Sequence, residues 1–165
     1  MPGHPNPTLG TLLRDLLDKL DGAVERSYVE SGLEYRPRYT PVVRALMESG
    51  PTSIRTISRI AGITHSAASQ TVAQMVEKGL LQLDAGSDAR ERIVALTAAA
   101  KAMIPKLEQH WRATNDAART LDAELSMPLS ELLREAIAAL DRASFTQRIG
   151  VASAKHKRFQ SRKKA

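Results

Sequence analysis

The chain has no cysteine, few aromatic residues (4 %), and no apolar run near membrane length. Without cysteine there are no disulfides, thiolate zinc sites, cysteine nucleophiles or cysteine redox sensors. A membrane-spanning helix needs roughly 20 apolar residues, and no stretch approaches that. Met1 to Pro7 lacks a basic region followed by an apolar one, so a secretory signal is not expected and the default is a cytoplasmic protein. The four histidines (His4, His65, His110 and His156) are scattered without metal-ligand spacing, so no metal is expected. There is no Gly-rich phosphate loop, nucleophile-elbow serine or His-Glu metal motif, so neither an enzyme nor a cofactor is expected. What remains is 165 residues, 42 % hydrophobic, enough for a real core in one domain with extra helices.

The net charge of +6 sits in one place. Residues 155–165 hold Lys155, Lys157, Arg158, Arg162, Lys163 and Lys164 and no acid, while the other 154 residues balance at 18 basic and 18 acidic groups. The balanced part is itself uneven. Met1 to Tyr35 is acidic, and Arg36 to Leu83 has six basic residues against Glu48 and Glu77. A basic middle and a basic tail suit a polyanion partner; a solvated surface with a disordered tail is the plainer alternative.

Asn6-Pro7 reads as a helix cap with proline in the first turn. Leu9, Leu12, Leu13, Leu16, Leu17, Leu20, Val24 and Tyr28 then form an apolar stripe on a helix ending near Gly32. Thr40-Pro41 repeats the cap signal for a helix that stops at Gly50-Pro51. Ser53 caps a short helix closed by Gly62, and Thr64 caps another that runs to Lys78. Leu80 to Asp84 and Arg92 to Leu96 read as two strands of a hairpin around Gly86-Ser87-Asp88. Thr97 opens a long alanine-rich helix to about Leu125, which Pro105 should kink. Ser126 starts a last helix with Leu129, Leu132, Leu133, Ile137, Leu140 and Phe145 at helical spacing. After Gly150 the chain turns small, polar and basic.

Helix, short helix, tight glycine turn, helix and hairpin, in that order from Thr40 to Leu96, make a winged helix-turn-helix. Ile54, Ile57 and Ala61 should meet Ala68, Val72, Met75 and Val76, with Ala61 and Ala68 small enough for a close crossing. At 100° per residue, Ser66, Ala67, Gln70, Ala73, Gln74 and Glu77 then face outward. Glutamine can bond an adenine edge twice, serine can bond either partner, and an alanine methyl can touch thymine. No acid occurs between Ser53 and Met75, whereas Arg55 and Arg59 do. The capped N-termini at Ser53 and Thr64 can offer backbone N–H groups to phosphates. Candidate DNA contacts are therefore Ser53, Arg55, Thr64, His65, Ser66, Ala67, Ser69, Gln70, Thr71, Gln74 and Arg92. A helix pair with an ordinary wet face is the alternative.

Pro51 to Leu81, with Asp88-Ala-Arg90 followed by Glu91-Arg-Ile-Val-Ala-Leu-Thr97, resembles the DNA-binding core of MarR-type transcriptional regulators. The motif likeness covers roughly Tyr35 to Trp111. The Asp-x-Arg ahead of a strand ending in Leu-Thr is its more specific part. The resemblance implies a homodimer of two winged-helix lobes on a helical dimerisation domain. It assigns Thr64 to Lys78 as the recognition helix, Asp88 as the support of the wing and Arg90 as the residue entering the minor groove, where narrow A·T-rich DNA attracts arginine. It also implies that a small phenolic or lipophilic ligand can bind between the domains and lower DNA affinity. The missing cysteine sets the chain apart from oxidation-sensing members, and the basic tail is not part of the family's core pattern.

Tyr35, Arg36, Arg38 and Tyr39 form an aromatic–basic cluster that is either a structured linker with core packing or part of a ligand pocket or dimer hinge. Trp111 is expected in the core. The tail is expected to be disordered, with nonspecific phosphate binding open to it. Leu9, Leu12, Leu13, Leu16, Leu17 and Leu20, with Leu132, Leu133, Ile137 and Leu140, exceed what one chain can cover and are the expected dimer surface.

The expected fold class is mostly α (α+β), a winged helix-turn-helix with a helical dimerisation domain from the N- and C-terminal helices. The expected segments are a dimerisation helix over 1–34, the DNA-binding domain over 35–97, dimerisation helices over 98–150 and a basic flexible tail over 151–165. The expected function is sequence-specific binding of double-stranded DNA by a homodimeric repressor that a small ligand releases. The alternative is a winged-helix protein-interaction module.

Overall fold

Thr8, following Pro7, caps the first helix. In the computed structural model, which describes residues 7–85 and 92–163, its hydroxyl accepts the Thr11 amide at 3.2 Å. Helix α1 (Leu9–Glu30) follows, and Asn6, the expected cap, lies outside the described residues. Tyr28 is the only fully buried residue of α1. The chain divides into two compact units, Met1–Thr114 and Asn115–Ala165.

In the first unit a 3-10 turn over Pro37–Tyr39 runs directly into α2 (Thr40–Ser49). This corrects the expected cap at Thr40. Tyr39 already has helical backbone angles, so Thr40 is the first helical residue and no extended residue is left to cap from. The Thr40 hydroxyl instead accepts from the Tyr35 phenol at 3.4 Å.

Strand β1 (Thr52–Ser53) was not expected, because two residues carry no readable alternation. Helices α3 (Ile54–Ala61) and α4 (His65–Glu77) follow, then strands β2 (Leu81–Ala85) and β3 (Arg92–Leu96). The sheet is antiparallel in the order β1-β3-β2, with Val94 opposite both Thr52 and Leu83. The loop of the expected hairpin lies outside the described residues.

Val42, Val43, Leu46, Ile57, Val72, Met75, Leu81 and Val94 join into one core with Ala100, Leu107 and Trp111 of α5 (Ala98–Glu124). Burying side chains such as Ile57 or Met75 contributes about 1.5–3 kcal/mol each. Thr97 caps α5 by accepting the Ala100 amide, and the helix continues through Pro105.

In the second unit the last helices differ from expectation. Ser126 starts nothing. Helix α6 (Leu129–Arg142) begins after Pro128, and the Asp122 carboxylate accepts from the Leu129 amide (2.8 Å) and the Ser130 hydroxyl (2.9 Å). A carboxylate from the preceding helix takes the capping role because Pro128 has no capping side chain. Phe145 is not on α6. Ala143 is extended, and α7 (Phe145–Lys163) starts at a reciprocal box in which Ser144 Oγ accepts the Gln147 amide and Gln147 Oε1 accepts the Ser144 amide. Arg148 donates back to the Ala139 and Ala143 carbonyls and closes α6. The segment expected to be irregular after Gly150 has helical backbone to Lys163. It contains no proline and no further glycine, and Ala, Lys, Arg and Gln favour helix.

Candidate nucleic-acid interface

The site is built on two capped helices and the glycine between them. Ser53 Oγ accepts the Thr56 amide at 3.3 Å and Thr64 Oγ1 accepts the Ala67 amide at 3.2 Å. Gly62 closes α3 with φ +65°, a left-handed angle that costs a side-chain-bearing residue about 1–2 kcal/mol. The turn aims the start of α4 outward. With Ala67 N–H taken by Thr64, helix geometry leaves the His65 and Ser66 amides without intrahelical acceptors, where an anion is favoured.

Ala68, Val72 and Met75 are the buried face of α4, meeting Ile57 of α3. His65, Ser66, Ala67, Gln70 and Ala73 are exposed, and Thr64 is exposed at the cap. Ser53, Ser69 and Thr71 are half-buried at the edges. Arg55 and Arg59 are exposed on α3, and Arg92 is exposed at the start of β3. Arg59 extends the basic surface beyond the expected contact residues, and its signal was the acid-free stretch itself. Asp88 and Arg90, the expected wing residues, lie outside the described residues.

One expected contact is placed differently. Gln74 is half-buried, and its Oε1 atom is buried with no partner among the described residues. A helical wheel puts it outward, but a wheel carries no information about the elements packed at its edge. Glu77 is exposed as expected.

Thr97 proves more than a helix start. Its hydroxyl donates to the Gly79 carbonyl at 2.8 Å while its amide donates to the Leu80 carbonyl at 3.1 Å. It therefore ties the end of α4 to the start of α5. The Leu-Thr at the end of β3 was its only sequence signal.

The aromatic–basic cluster splits. Tyr35 and Tyr39 are core, with Tyr35 edge-on to both Tyr28 (5.2 Å) and Tyr39 (5.6 Å), while Arg36 and Arg38 are exposed. Burial pushes the Tyr35 phenol well up from its ordinary pKa. The four are not gathered round a shared space. The cavity that Tyr35 lines, with Val43, Met75, Leu80, Ala100, Met103 and Leu107, is ≈ 10 Å³, room for about one water.

Residues 31–91 match the sequence model of the MarR family. A probable transcriptional regulator from Pseudomonas aeruginosa has 26 % identity and a TM-score of 0.58 over 82 % of this chain and 98 % of its own. The fold is that of MarR-type regulators, and the family match falls on the winged helix-turn-helix. MarR-family transcriptional regulators are non-enzymatic DNA-binding proteins. Two further structures share the fold. The Mycobacterium tuberculosis regulator MOSR, solved in complex with DNA, has 22 % identity and a TM-score of 0.64 over 86 % of this chain and 99 % of its own. PcaV from Streptomyces coelicolor, solved with its natural ligand, has 20 % identity and a TM-score of 0.62 over 87 % and 99 %. No curated protein matches. Among the described residues no helix is long and apolar enough to cross a membrane.

Proposed function

We propose that this MarR-type protein is a repressor that binds a pseudo-palindromic operator as a homodimer and leaves it when a small organic ligand binds. The observation that carries the DNA reading is the outer face of α4. It is short, polar and acid-free from Thr64 to Val76, flanked by the exposed Arg55 and Arg59, and begins at a capped N-terminus. His65 and Ser66 amides take a phosphate, Gln70 reads a base edge, and Ala67 leaves room for a thymine methyl. Ser53, Thr64, Ser69, Thr71 and Arg92 contact the backbone around it, and Arg90, supported by Asp88, enters the minor groove.

The dimer reading is supported by exposed leucines. Leu9, Leu12, Leu13, Leu17 and Leu20 on α1, and Leu132, Leu133, Ile137 and Leu140 on α6, are all exposed in the single chain, with Leu16 half-buried. Apolar stripes of that size mark interfaces. Residues 1–34 and 98–150 then serve dimerisation and 35–97 serve DNA. Release by ligand is supported by likeness to the fold of PcaV, which was solved with its natural ligand. Selection of bound duplexes from a random pool, followed by a screen for compounds that release them, tests the reading. Failure to enrich any sequence would leave the protein-interaction alternative.

A further inference from the structure

Ser66, Gln70 and Gln74 follow one another at four-residue steps, so they share a line along α4. Ser66 and Gln70 are exposed, whereas Gln74 is half-buried, with its Oε1 in the interior and no partner for it among the described residues. At ~100° per residue the Gln74 Cβ stands about 130° round the helix from the centre of the buried Ala68, Val72 and Met75 face. The backbone therefore points this side chain outward, and the amide folds back from there. Its neighbours on the outer side, Gln70, Ala73 and Glu77, are exposed, and Ala73 has nothing beyond Cβ to stand in its way.

A buried amide oxygen without a donor has lost its water and replaced it with nothing, which destabilises the withdrawn position. That penalty is relieved when the amide turns outward to a partner offering both a donor and an acceptor. An adenine edge in the major groove offers that pair, N6–H for Oε1 and N7 for Nε2. A phosphate has no donor for Oε1, and the exposed Glu77 carboxylate three residues on repels an anion there. The chemistry of the position therefore selects a base edge.

We propose that Gln74 is a withdrawn base-reading residue, whose amide lies folded inward in the free protein and turns out to bond an adenine edge when α4 meets its operator. The proposal rests on the reading of α4 as the DNA-reading helix. Gln74 lies about 6 Å along α4 from Gln70, nearly two base-pair steps, so it reads a different base pair. The two glutamines also differ in what they give up. Gln70 sheds water from its amide to bond a base, whereas the Oε1 of Gln74 is already dry. Release of the withdrawn amide therefore adds to sequence-specific binding and not to binding of random duplex, where no matched edge draws it out.

Gln74→Met and Gln74→Glu are compared with the full-length parent on a duplex selected by the parent, its single-base variants and a random duplex. Gln74→Met is expected to bind the selected duplex about tenfold more weakly and the random duplex as the parent does. It should lose preference at an A·T pair other than the one that Gln70→Ala relaxes, with a melt no lower than the parent's. Gln74→Glu should move that preference from adenine to cytosine, whose N4–H donates to a carboxylate. In nitrogen-15 spectra the Gln74 side-chain amide pair is identified by its absence from Gln74→Met. It should shift and exchange more slowly on the selected duplex and not on the random one. Parental affinity and preference in Gln74→Met overturn the proposal, as does an amide pair that stays put on the selected duplex. Equal loss on both duplexes with a lowered melt marks a purely structural side chain and overturns it too. A parent that enriches no duplex overturns the reading of α4 itself, and the proposal with it.

Discussion

Two glutamines four residues apart on α4 have different fates. Gln70 is exposed at the middle of the outer face; Gln74 holds its Oε1 in the interior without a partner among the described residues. Gln70→Ala should weaken binding to a selected duplex by about 1–3 kcal/mol and relax preference at one base pair per half-site, measured by competition with single-base variants. Gln74→Met keeps the volume and removes the unpaired oxygen, so its melting temperature should equal or exceed that of the parent. A clear fall in the melt would mean that Oε1 finds a partner in solution. Tyr35 gives a pH dependence. Burial raises its phenol pKa in the folded state, so above pH of about 10 only the unfolded chain ionises there, and stability is lost as pH rises. Tyr35→Phe should flatten that fall in urea titrations across the alkaline range. At this scale the inward set Ala68 and Val72 and the outward set Ser66, Ala67 and Gln70 were legible from helical angle alone. Gln74 was not, because its burial depends on what packs beside α4.

Elements were legible where a local signal closes a hydrogen-bond account. Ser53, Thr64 and Thr97 cap as their side chains dictate, and Gly62 and Gly79 take positive φ at the ends of α3 and α4. Gly62→Ala would meet no atom within 4 Å, so its cost is the backbone angle alone, about 1–2 kcal/mol by denaturant unfolding. What escaped was non-local or too short. β1 exists only through its pairing with β3, and α6 is capped from seven residues upstream by Asp122. The break before α7 was visible in Ser144-Phe-Thr-Gln147, but the spacing of Ile137, Leu140 and Phe145 ran across it. Ser144→Ala should cost about 1 kcal/mol of local stability, read as faster amide exchange over the first turn of α7 and little change elsewhere.

For the whole molecule, the described residues of their own units leave the α1 and α6 stripes uncovered; Leu9 is 65 % and Ile137 60 % exposed. Light scattering at micromolar concentration should give a dimer, and Ile137→Glu should weaken it; a monomeric parent would remove the interface. The basic tail was legible as charge and not as helix, since composition announces cations but α7 depends on a cap eleven residues before Lys155. Removing residues 155–165 should lower affinity for specific and random DNA alike, and flatten the slope of log affinity against log salt by up to about 0.9 per lost phosphate contact. The most direct test of DNA reading by α4 is duplex selection with the parent and Gln70→Ala side by side. The parent should enrich a pseudo-palindrome with half-sites about one helical turn apart, and the variant should lose preference at one position in each half. Enrichment of the same sequences with the same stringency by both proteins would contradict it.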